Sequence, residues 1–158
     1  MKLILATLLS LFVMMGSAQA SKCYTQQEAE AEQAIRIHSE LMVIGLNCQN
    51  MRFKDGTNLY AKYRHFTTQH ADLFNGYENT LIGYYRRTGA ANPERKLNDL
   101  RTLLANNIAN DSARMKPDQF CNQFVPRIFK ASQMNRAELA KWASTFYPSH
   151  PVSQPICK

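Results

Sequence analysis

The sequence predicts an all-α protein, an up-and-down bundle of four to five helices stapled by two disulfides. Three observations carry that prediction. Beyond residue 25, apolar residues recur at spacings of three and four, the period of an amphipathic helix, and no segment alternates as a strand would. Helix-start signals stand at Thr25, Asn92 and Asn135. Four cysteines, Cys23, Cys48, Cys121 and Cys157, form an even set spread along the chain, as a disulfide framework requires.

The N-terminus has the pattern of a secretory signal peptide over residues 1–20: Lys2, an apolar run from Leu3 to Met15, and the small-residue end Ala18, Gln19, Ala20. The apolar run is shorter than the ~20 residues that span a bilayer, so no membrane span is expected after cleavage. The expected location is periplasmic or secreted, where disulfides persist. Residues 21–158 then form a single helical-bundle domain with an extended C-terminal tail at 148–158; a domain of about that length buries roughly two-thirds of its unfolded surface.

The first helix starts at Gln26, because Thr25 and Glu28 make a capping box. Glu28, Glu30 and Glu32 suit the positive end of its dipole. Ala31, Ala34, Ile35, His38, Leu41, Met42, Gly45 and Cys48 share one face and carry it to about residue 50. The KDGTN segment at 54–58 is a polar turn with Thr57 or Asn58 as the next cap. Leu59, Tyr63, Phe66, His70, Leu73, Tyr77, Leu81 and Tyr84 then predict one long helix over 58–88, with a kink at Gly76 and an end near Gly89. Asn92 followed by Pro93 starts another helix, which Leu97, Leu100, Leu104 and Ile108 carry to about Met115. A segment from Asp118 holds Phe120, Cys121, Phe124, Ile128 and Phe129. Pro126 within it predicts a kink or a split, since it removes a hydrogen bond to Asn122. Asn135 and Glu138 make a second capping box before Leu139, Trp142 and Phe146. The tail, PSHPVSQPICK, has no periodicity and is expected to be extended and fastened by Cys157 alone.

Helix length decides the cysteine pairing. A rod from Cys23 to Cys48 at ~1.5 Å per residue separates them by roughly 35 Å, far beyond disulfide reach. With helix directions alternating, Cys121 opens its helix beside the end of the first, which pairs Cys48 with Cys121 and leaves Cys157 to return to Cys23. No CxxC or CxxCH is present, so the cysteines read as staples and not as a redox pair, a zinc ribbon or a haem attachment.

The stretch EAEQAIRIHSELMVIGLNCQ, with the later Phe120 and Cys121, resembles small exported four-cysteine helical proteins of alphaproteobacteria. The resemblance covers the first helix and the cysteine positions. It implies no activity and no functional residues.

Two clusters are candidate sites. His38 and His70 fall on apolar stripes of antiparallel helices at similar height, which permits a metal or haem site between helices. The competing reading makes them core histidines bonded to tyrosine hydroxyls or backbone carbonyls. Arg86, Arg87, Arg95 and Lys96 flank the turn at residue 89; with the free N–H groups of a helix start, they suit a phosphate or carboxylate. Tyr60, Phe74 and Tyr85 lie off the main aromatic stripe and are expected to be the exposed aromatics.

The net charge of +7, one less without Lys2, favours anionic partners. No basic run exceeds two residues and no nucleic-acid motif is present. Nucleophile-elbow, HExxH, P-loop and paired-carboxylate patterns are absent. The leading expectation is thus an exported, non-enzymatic binding module for an envelope protein or anionic ligand, needing no cofactor. The alternative is a metal- or haem-binding bundle using His38 and His70.

Overall fold

The computed structural model describes residues 22–51 and 53–157. Residues 1–20, expected to be a signal peptide, lie outside the described residues. Six helices follow one another: α1 (Gln26–Asn47), α2 (Leu59–Gln69), α3 (Ala71–Arg87), α4 (Pro93–Arg114), α5 (Pro117–Ala131) and α6 (Arg136–Ala143). The count exceeds the expected four to five because the long second helix breaks.

The bundle is built around α1, which touches each of the other five helices. Its buried set includes Ala31, Ala34, Ile35, Leu41 and Ile44 together with Glu32, Gln33 and Ser39, so it is enclosed on nearly every side. Its ends are set locally. Thr25 accepts from the Glu28 amide, and the Glu28 carboxylate accepts from the Thr25 amide at 2.8 Å, completing the capping box. Gly45 lets α2 approach closely: a Cβ there would lie 3.4 Å from that of Tyr63.

The break in the second helix lies at His70, not at Gly76. His70 (φ −110°, ψ 18°) caps α2, and its ring Nε2 donates to the Met134 carbonyl at 3.1 Å, tying the bend to the α5–α6 loop. A Cβ at Gly76 would meet nothing within 4 Å. Gly76 thus lies on the outer side of α3, where the ~1 kcal/mol propensity cost of glycine is outweighed by its buried neighbours Leu73, Phe74 and Tyr77. Phe74, expected to be exposed, is buried, because α3 packs against both α1 and α4 and buries a wide stripe. At the end of α3, Gly89 takes φ 82° and the bonds Gly89 N–H to Arg86 O and Ala90 N–H to Tyr85 O close a Schellman motif.

Pro126 does not split α5. It sits on the exposed side with Asn122, so the carbonyl it leaves without a helical partner stands toward water.

Both predicted disulfides form. Cys48–Cys121 joins the end of α1 to the start of α5 with Cα atoms 5.6 Å apart, and Cys23–Cys157 joins the residue before Tyr24 to the tail with Cα atoms 5.1 Å apart. The tail is fastened by more than Cys157. Tyr24 and Ile156 pair as a parallel bridge, with Tyr24 N–H to Pro155 O and Cys157 N–H to Tyr24 O both at 2.8 Å.

Replacing Cys48 and Cys121 together by alanine is expected to cost about 4 kcal/mol in the chain-entropy picture, read as a lowered midpoint in denaturant unfolding with Cys23–Cys157 left intact. An unchanged midpoint would show that the buried staple adds nothing to stability.

Candidate functional site

Glu32, Arg36 and Glu40 are spaced by four residues and therefore line one face of α1. On an exposed helix such a row is a solvated ladder; here Glu32 is 0 % exposed and Glu40 is buried. Each has a hydrogen-bonding partner from elsewhere in the chain. Arg127 of α5 meets Glu40 at 2.7 Å and lies over the Trp142 ring. Glu32 accepts from the Ser153 amide at 2.8 Å and from the Ser153 hydroxyl, and it pairs with Arg36 at 3.5 Å. Arg36 also donates to the Pro151 carbonyl at 2.9 Å, so two successive charges on α1 grip the tail. Among the described residues, no buried side-chain nitrogen or oxygen lacks a hydrogen-bond partner.

This row floors a cavity of about 580 Å³. The cavity exists because α4 and α5 scarcely touch each other although each packs on α1. Leu103, Leu104 and Ile108 of α4 and Phe124 of α5 supply an apolar wall, and tail residues from 149 to 153 close one end. Leu103 is 54 % exposed at the lip. The groove therefore sets an apolar wall against a paired charged floor, within the ~300–1,000 Å³ of small-molecule sites.

The sequence reading missed this site. It gave Glu32 to the helix dipole and assigned Glu40 no role. The four-residue spacing was the available signal, and it becomes informative only once α1 is known to be wrapped on all sides.

The histidines are placed separately. His38 Nε2 hydrogen-bonds the Tyr63 hydroxyl at 3.3 Å, and its ring meets Phe74 edge-on at 4.9 Å. His70 contacts Phe66, which contacts Phe74, so a run of aromatic rings connects the two imidazoles. No group of three or more His, Cys, Asp or Glu side chains among the described residues could hold a metal ion. Burial, and then the positive charge of Arg101 on α4, push the His38 ring down from its usual 6.5 to about 4. Burial also raises the Tyr63 hydroxyl to about 12.

The four cations at the α3–α4 turn do not converge. Arg87 is taken by Glu28, with contacts of 2.8 and 2.9 Å, and lies over the Tyr84 ring. Arg86 and Arg95 are exposed. Lys96 alone lines a cavity there, with residues no local reading would join to it.

Comparisons with family models, with curated proteins and with solved structures find no match to this chain.

Two predictions follow from the buried charges and the neutral imidazole. Glu32→Ala removes the acceptor for Ser153 and leaves Arg36 without its carboxylate; it should cost about 3 kcal/mol and raise amide exchange across residues 149–156 well above that of α1. The unfolded chain protonates His38 first, so its stabilising contribution is full above pH 6.5 and is lost as pH falls toward 4. That loss amounts to up to about 3 kcal/mol. His38→Gln should flatten the fall in unfolding midpoint between pH 7 and 4.5, and an NMR titration should find the wild-type ring unprotonated above pH 5.

Proposed function

We propose that the protein is an exported, non-enzymatic binding module whose ligand, a small amphipathic molecule, lies in the groove between α4 and α5. The observation that carries this reading is the failure of these helices to close over α1, which leaves Leu103 exposed opposite the Glu40–Arg127 pair. A ligand with an apolar body would cover Leu103 and Phe124 while its polar end meets the charged floor. His38 and His70 take no part in it.

Export is supported by the leader-like pattern of residues 1–20 and by two disulfides, which persist in oxidising compartments. No helix among the described residues is long and apolar enough to cross a membrane. A periplasmic location and kinship with the exported alphaproteobacterial proteins belong to the same proposal.

The amphipathic fluorophore anilinonaphthalene sulfonate provides the test. One molecule per chain should bind with enhanced emission, and Leu103→Asp should weaken that binding at least tenfold. Because Leu103 is exposed, the same substitution should move unfolding stability by no more than about 0.5 kcal/mol. Unsaturable binding, or binding indifferent to Leu103→Asp, overturns the reading.

A further inference from the structure

The tail passes two cavities. Ser153 lines the groove, whereas the next residue, Gln154, lines a second cavity of about 400 Å³ at the α3–α4 turn. The chain bends at these two residues, which lets one strap serve both. The second cavity is assembled from three separate places. Lys22 arrives from just before Cys23 and Gln154 from just before Cys157, so the Cys23–Cys157 disulfide brings them together. Lys96 comes from the first turns of α4, with Tyr84 and Tyr85 from the end of α3.

Among the described residues, no carboxylate lines this cavity. The neighbouring ones are engaged: Glu28 holds Arg87 and the Thr25 amide, and Glu32 holds Ser153 and Arg36. Asp99, three residues after Lys96 on α4, lies outside the lining and acts on the Tyr85 hydroxyl. The turn's own donors are also used, because Gly89 and Ala90 N–H close the Schellman motif and the Thr88 hydroxyl donates to the Tyr84 carbonyl. The Tyr84 hydroxyl donates to the Lys22 carbonyl at 2.8 Å. Among the described residues, the ammonium groups of Lys22 and Lys96 have no ion-pair partner. Two lysines without an ion-pair partner, a glutamine and two tyrosines thus line one opening.

We propose that this pocket binds a dianionic oxyanion of the phosphate class, held between Lys22 and Lys96 with Gln154 donating. Two ammonium charges match a dianion, and lysine is a common point-charge partner for phosphate. Tyr85 offers a ring face to any organic group the phosphate carries. The site shares no side chain with the groove, so the failure of either reading leaves the other standing.

Inorganic phosphate and phenyl phosphate, titrated into the oxidised protein, test the assignment through amide NMR shifts. Saturable shifts at residues 88–90 and 154 are expected, weakened at least tenfold in Lys22→Met/Lys96→Met and unchanged in Lys141→Met, which removes an exposed charge from α6. Tighter binding of phenyl phosphate identifies an ester as the ligand class and equal binding identifies free phosphate; either sustains the site. Unsaturable shifts, equal binding of acetate, or equal weakening by Lys141→Met would overturn it, the last by showing that net charge alone attracts the anion. All three lysines are exposed, so the variants fold and the comparison stays informative.

Discussion

The constraint on which the structure depends is the enclosure of α1. A helix surrounded by five others cannot leave a charge without a partner, since an ion removed from water loses several kcal/mol of solvation even after relaxation. Three glutamates on α1 meet that condition with partners from three different places: Glu28 with Arg87 of α3, Glu40 with Arg127 of α5, and Glu32 with Ser153 of the tail. Apolar burial supplies the gross stability, but it is non-directional. The carboxylates add direction, because each accepts only the element that brings the right donor to the right height on the spine.

The disulfides act on the same spine from its ends. Cys48–Cys121 fixes where α5 begins and so helps set Arg127, six residues after Cys121, opposite Glu40, eight residues before Cys48. Cys23–Cys157 fixes where the tail ends. Between these two anchors α5 and the tail approach α1 while α4 approaches it independently, and the groove is the space that neither α4 nor α5 fills. The cavity is therefore a consequence of how the spine is covered and of the charges that govern its covering.

What was legible in the sequence was what local chemistry decides. Thr25, Asn92 and Asn135 start helices in the structure as their side chains predict, because a cap is settled within four residues. The cysteine pairing was legible because the rigidity of one helix excludes the local pair. The break at His70 was not, since it depends on a carbonyl at Met134 supplied by a distant loop, whereas Gly76 advertised a weakness that packing overrides. The charged floor was hidden for a related reason: Glu32, Arg36 and Glu40 look the same on a solvated helix as on an enclosed one. At the basic turn, Lys96 was visible, but Lys22 and Gln154 reach it through a disulfide spanning 134 residues, and Arg87 was already committed to a cap.

The tail shows how these constraints share a task. The disulfide at Cys157 and the bridge to Tyr24 fix the chain from Pro155 onward to the start of α1, but they leave the register of the residues before it open. The chain bends at Ser153 and Gln154, and a slip of one residue there would bring Gln154 to the place of Ser153 against Glu32. Glu32 opposes that slip, because it takes both the amide and the hydroxyl of Ser153, and a longer side chain cannot offer both donors from the same position. Arg36 adds a second point of register at Pro151. The covalent staple sets which segment lies on α1, and the buried carboxylate sets which of its faces looks into the groove and which into the pocket of lysines.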